Sequence, residues 1–169
     1  HFNKKNLVNV FEVFTNNPNA KVLDRAKNLN VPSQVFNRQE LNEGIVLEKL
    51  NKIQPDLIVL AGFLWKFPEH IIKAYPNKVI NIHPALLPNY GGKGMYGMNV
   101  HNAVIAAGEK RSGITIHVVD EVYDNGDVIF QAECPVNEGD TAEQLASKIH
   151  ELEYLHFPRV IEEYLIKKF

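Results

Sequence analysis

Residues Asp56–Phe63 read DLIVLAGF, an almost unbroken apolar run of strand length. A strand that is apolar on both faces has to be covered on both, and such strands are typical of parallel sheets. Parallel neighbours need a long crossover between them, usually a helix, so the run dictates what should flank it. Ile45–Ile53 has helical spacing and stops before Pro55. Pro68 can open a helix over Glu69–Tyr75, where a missing N–H costs nothing. Val79–His83 (VINIH) is the next strand, cut off by Pro84.

The rest of the chain continues the alternation. Val8–Thr15 reads as a strand running into a turn at Asn16-Asn17-Pro18, and Ala20–Leu29 has apolar residues at helical spacing, closed by Val31-Pro32. A polar, glycine-rich loop over Leu86–Gly97 leads to a helix from Asn99 to Ala107 that Gly108 can cap. Strands follow at Gly113–Val119 and Val128–Val136, separated by the acidic loop Asp120–Asp127. A last long helix starts after Gly139, with Asp140 or Thr141 as its N-cap. This order predicts an α/β fold with a mainly parallel sheet, in one domain spanning 1–169.

Bulk properties exclude several classes. The net charge of 18 − 20 = −2 gives no footprint for nucleic acid or an anionic membrane. No stretch reaches the roughly 18 apolar residues of a membrane span, and no signal peptide is visible, so a cytoplasmic protein is expected. Cys134 is the one cysteine, which excludes an intrachain disulfide and a cysteine zinc cage; its apolar setting favours a buried, inert thiol.

Gly92-x-Gly94-x-x-Gly97 matches the dinucleotide pattern in letters, but that motif needs its glycines directly between a strand and a helix. Here Pro84 and Pro88 intervene, so a mobile active-site lid is the better reading. His117, Asp124 and Asp127 lack metal-ligand spacing, and no nucleophile elbow is present. Asn81 and His83 are more informative. Residues two apart on a strand share a face, and this strand should end where open α/β sheets bind ligands. An amide donor beside an imidazole can hold a developing oxyanion and move a proton. The same pair can equally be two satisfied polar groups ending a strand. Asp124 adds a carboxylate in a turn with Asn125-Gly126, able to orient an imidazole and favour its charged form, or simply to sit in solvent.

Together these segments resemble the folate-dependent formyltransferases. Asn81-x-His83-Pro84-x-Leu86-Leu87-Pro88 looks like one family signature; Gly113 to His117, then Asp124 and Gly126, then Ile129 to Gln131, looks like a second. Glu138-Gly139-Asp140-Thr141, with Glu153 and Phe157-Pro158 beyond, resembles the glycinamide ribonucleotide branch rather than the methionyl-tRNA one. The resemblance implies a Rossmann-like formyltransferase fold and formyl transfer from 10-formyltetrahydrofolate to the amine of glycinamide ribonucleotide, in purine synthesis and without a metal. It implies Asn81, His83 and Asp124 as the catalytic trio, and a folate site at Leu64, Trp65, Lys66 and Phe67 together with Asn81 and, as a looser match, Arg38. It implies Glu153 and the neighbouring His150 for the ribonucleotide, and His117 in support. Family members open with a strand and a glycine-rich phosphate loop, whereas the first glycine here is Gly44, so residues are expected to precede His1. Monomer and homodimer both remain open. So do two other functions: a formyltetrahydrofolate deformylase, which would carry a further amino-terminal regulatory domain, and a non-catalytic folate-binding module.

Overall fold

The computed structural model describes Phe2 and residues 8–168. The described residues pack as two compact units, divided between Asp56 and Leu57.

In the first unit, strand β1 (Val13–Thr15) pairs in parallel with β2 (Ser33–Val35) across helix α1 (Lys21–Asn28). The turn into α1 is closed by Asn17, whose side chain accepts the Asn19 N–H at 2.9 Å. Helix α2 (Arg38–Asn42) starts on a reciprocal cap: the Asn37 side chain accepts the Glu40 N–H at 2.9 Å, and the Glu40 carboxylate accepts the Asn37 N–H at 2.8 Å. Helix α3 (Ile45–Ile53) follows Gly44 and stops at Gln54, ahead of Pro55.

The second unit is built on a four-stranded sheet in the order β3 (Ile58–Leu60), β4 (Val79–His83), β5 (Arg111–Val118), β6 (Val128–Pro135). Helix α4 (Glu69–Ala74) crosses from β3 to β4, which run parallel. Helix α5 (Met98–Ala106) leads from β4 to β5, and helix α6 (Ala142–Lys168) follows β6 and packs on α5, β5 and β6. The α/β class and the parallel pairing expected from strand–helix alternation hold for β1 with β2 and for β3 with β4. The last two pairings are antiparallel. The reason is local for β5 and β6: the loop joining them is too short for a parallel crossover.

Among the described residues β3 is the outer strand of this sheet and is partly exposed, with Val59 at 38%. Val79, Ile80, Ile114, Ile116, Leu145 and Ile149 are almost completely buried, and α6 packs on β5 and β6. Cutting any of the isoleucines or Leu145 to alanine would remove about 2–5 kcal/mol. The start of α6 settles between the two candidate caps. Thr141 accepts the Gln144 N–H at 3.3 Å while the Gln144 side chain accepts the Thr141 N–H at 2.8 Å. Asp140 instead accepts the Asn137 N–H and pairs with Lys148. Farther along α6, the Tyr164 hydroxyl donates to the Asn77 carbonyl at 2.9 Å, tying the helix to the turn that feeds β4.

Candidate functional site

Strand β4 alternates under strict constraint: Val79, Ile80, Ile82 and His83 are buried, and only Asn81 is partly open. Asn81 and His83 point to one face by the pleat of the strand. In the β4–β5 register Asn81 lies opposite His117 and His83 opposite Thr115, and directly opposed residues share a face. The sheet therefore delivers Asn81, His83, Thr115 and His117 to one place at the end of β4.

The hydrogens of this cluster follow from its acceptors. His117 Nδ1 lies 2.9 Å from the Val118 carbonyl, which can only accept, so Nδ1 carries the hydrogen and Nε2 keeps its lone pair. Burial lowers the pKa of His117 more than the Val118 carbonyl and the Asp124 carboxylate raise it, so the ring stays neutral. Its Nε2 then accepts from the Asn81 amide at 3.2 Å, which fixes which way that amide faces and leaves its second N–H for a ligand. On His83 the geometry is reversed: Nε2 donates to the Tyr90 carbonyl at 2.8 Å, so Nδ1 is the nitrogen left for chemistry.

Asp124 faces both rings. Its carboxylate oxygens lie 3.6 Å from His83 Nδ1 and 3.7 Å from His117 Nε2, and its side chain is 11% exposed. Both distances are too long for hydrogen bonds, so a ligand oxygen can compete for His83 Nδ1. Asp124 has φ of 52°, a left-handed conformation that aspartate tolerates better than most residues. Gly92 holds it by donating its N–H to the carboxylate at 2.9 Å. Gly126 beside it lies so close to the Val118 carbonyl that a Cβ there would collide with main chain.

Beside this cluster runs a cleft lined by Leu60, Trp65, Lys66 and Phe67 on one side, by Asn81 and His117 at its base, and by residues 119–124 on the other. Phe67 packs edge-on against Phe63, with ring centroids 5.9 Å apart, and Trp65 meets the same ring at 6.1 Å. Of the expected folate residues, Trp65, Lys66, Phe67 and Asn81 line this cleft; Leu64 is 51% exposed and is not part of its lining. Arg38 opens α2 in the other unit. Glu153 and His150 lie on α6, outside the cleft lining. Burial pushes the Glu153 carboxyl pKa up, with His150 opposing. His101 on α5, 3% exposed, has its pKa lowered by burial first, then by His150 and His83, so groups from α6 and β4 act on the same ring.

The glycine loop is engaged from within: Gly92 bonds Asp124, and the Gly94 carbonyl accepts from Asn99 at 3.0 Å. Among the described residues, no group of three or more His, Cys, Asp or Glu side chains is arranged to hold a metal ion. Burial also pushes the Cys134 thiol pKa up, the direction of an unreactive thiol. Tyr90, Gly92 and the lining of residues 119–123 escape sequence reasoning, because a main-chain carbonyl, a main-chain N–H and a loop's shape leave no mark in residue type.

The formyl transferase family profile matches residues 1–161. The chain belongs to the formyl transferase family. A relative in this family, the chloroplastic phosphoribosylglycinamide formyltransferase of Vigna unguiculata, is 42% identical over 142 residues, covering 81% of this chain and 46% of the relative. The phosphoribosylglycinamide formyltransferase of Bacillus subtilis is 37% identical over 153 residues, covering 88% of this chain and 76% of the relative. The crystal structure of phosphoribosylglycinamide formyltransferase from Anaplasma phagocytophilum superposes with a TM-score of 0.90 at 34% identity, covering 99% of this chain and 78% of that one. The chain spans about half the length of the plant relatives it matches. Among the described residues, no helix is long and apolar enough to cross a membrane.

Proposed function

We propose that this chain transfers a formyl group from 10-formyltetrahydrofolate to the primary amine of glycinamide ribonucleotide, a step of purine synthesis, in the cytoplasm. One observation carries the reading. His83 Nδ1, with its ring fixed through Nε2, faces the Asp124 carboxylate at 3.6 Å on the same strand face as an Asn81 amide that retains one N–H for a ligand. The names of the relatives supply the acceptor.

The residues suit each requirement of acyl transfer to an amine. Asn81 donates to the formyl oxygen as the amine adds and that oxygen becomes negative, a donor aimed where charge develops. With a proton on Nδ1, His83 donates beside it, and the charged ring lies against Asp124. When the bond from the formyl carbon to the folate nitrogen breaks, that nitrogen needs a proton, which His83 Nδ1 is placed to give; the attacking amine has one to lose, and Asp124 is the nearest carboxylate to take it up through solvent. The partly aromatic cleft at Trp65 and Phe67 suits a fused-ring ligand, with polar groups of the 119–124 loop also in its lining. Glu153, a carboxylate whose pKa partial burial raises, fits a pair of ribose hydroxyls, and His150 adds a neighbouring donor.

Replacing His83 by alanine tests the assignment. Turnover should fall about 10²–10⁴-fold while folate affinity stays close to wild type, since the work belongs to the transition state. Unchanged turnover with a raised Michaelis constant would make His83 a binding residue and remove this mechanism.

A further inference from the structure

A fully buried hydroxyl sits behind the catalytic histidine. Thr115 is 0% exposed, and its hydroxyl donates to the Ala85 carbonyl at 2.7 Å. It accepts from the Leu87 N–H at 2.9 Å and from the Gln131 side-chain amide at 2.9 Å, which is the whole capacity of a hydroxyl. The same Gln131 nitrogen also donates to the Leu87 carbonyl at 3.0 Å. The register explains why these groups meet. His83 lies opposite Thr115 on β5, and Thr115 lies opposite Gln131 on β6, so the three side chains form one row across the sheet. After Pro84 the chain folds back over this row. Thr115 and Gln131 pin residues 85–87 of the crossing, and three residues later the Tyr90 carbonyl returns to His83 Nε2. Tyr90 does so at φ of 56°, a left-handed conformation rare for a bulky residue, which persists only where the surroundings fix it.

We infer that Thr115, assisted by Gln131, is a positioning residue for His83: it fixes the crossing that presents the Tyr90 carbonyl to Nε2 and so reserves Nδ1 for the reaction. The inference rests on the reading of His83 as the proton-handling group. Without the Thr115 hydroxyl, the Ala85 carbonyl and the Leu87 N–H lose their partner and the crossing is free to shift. His83 can then carry its hydrogen on either nitrogen and turn within its pocket, and a misplacement of about 1 Å can lower turnover about 10²-fold.

The test compares Thr115→Val, which keeps the shape and loses the hydroxyl, with Thr115→Ser, which keeps it, in the full-length protein. Thr115→Val should lower kcat about 10²-fold with little change in the folate KM, and Thr115→Ser should restore it. Nitrogen-15 NMR of the His83 ring, at a pH where imidazoles are neutral, should find the hydrogen on Nε2 in wild type and Thr115→Ser and on both nitrogens in turn in Thr115→Val. A folded Thr115→Val with wild-type kcat would overturn the inference, as would a loss of kcat with the hydrogen still held on Nε2. Should Thr115→Val fail to fold, Gln131→Met carries the test at an exposed position: a smaller kcat loss with a weakened Nε2 preference supports the inference, and no change in either overturns it. If the wild-type protein forms no formylated ribonucleotide, the functional reading falls, while the ring-nitrogen measurement still decides the positioning.

Discussion

Replacing Asn81 by aspartate keeps the side chain's volume and reverses its polarity. The Asn81 amide gives one hydrogen to His117 Nε2 at 3.2 Å and, in the proposed mechanism, the other to the formyl oxygen. In the variant an oxygen faces the Nε2 lone pair inside a pocket where His117 is 2% exposed. His117 can mend the contact only by taking a second proton, which its burial opposes. A buried acceptor without a partner costs about 1–3 kcal/mol, and in a domain of this size 1 kcal/mol moves Tm by about 2–4 °C. The melting temperature should therefore fall by about 2–12 °C. The catalytic loss is larger, because removing one donor of this kind lowers kcat about 10²–10³-fold, or about 2.7–4 kcal/mol, and a negative charge beside the developing oxyanion adds to it. Steady-state kinetics and a thermal melt read both numbers. A variant with kcat within about tenfold of wild type and an unchanged Tm would refute the assignment of the Asn81 hydrogens.

Three further outcomes follow from the same geometry. His101 and His117 both have pKa values depressed by burial, so the unfolded chain binds protons first; stability should be complete above about pH 6.5 and decline as pH falls toward the folded values, and His117→Gln should flatten that decline in denaturant melts. Glu153 is the opposite case: its carboxyl pKa is raised, so stability of the ligand-free fold falls as pH rises from the ordinary carboxylate value toward the raised folded one and stays lower above it, and Glu153→Gln should raise Tm at neutral pH while weakening ribonucleotide binding in calorimetry and sparing folate binding. Gly126→Ala sets a Cβ against the Val118 carbonyl, so the loop must move and carry Asp124 from His83; kcat should fall about 10²-fold and folate affinity should weaken with it, since residues 119–124 line the cleft, measured by kinetics and fluorescence titration.

The sequence made strand β4 legible because its signals are local. VINIH ends at a proline, and a two-residue spacing is enough to put Asn81 and His83 on one face. Helices with clear periodicity or a strong stop, such as Ile45–Ile53, were equally open to reading. Strand β2 was not, since Ser33-Gln34-Val35 has neither length nor alternation and exists through its pairing with β1. Helix α2 could have been found from Asn37 and Glu40, whose spacing is that of a reciprocal cap. Thr115 and Gln131 stood inside a recognisable segment, yet their bonds to the crossing after Pro84 depend on cross-strand register, a relation between distant parts of the chain.

The most direct measurement supplies the full-length protein with 10-formyltetrahydrofolate, with and without glycinamide ribonucleotide, and follows the fate of the formyl carbon by mass spectrometry and carbon-13 NMR. The account predicts that the label appears on the ribonucleotide amine at a rate that collapses in His83→Ala, with only slow release of formate when the acceptor is omitted. Rapid formate release that ignores the ribonucleotide would contradict it and identify a hydrolase; formyl transfer that survives the loss of His83 would leave the acceptor right and the proposed chemistry wrong.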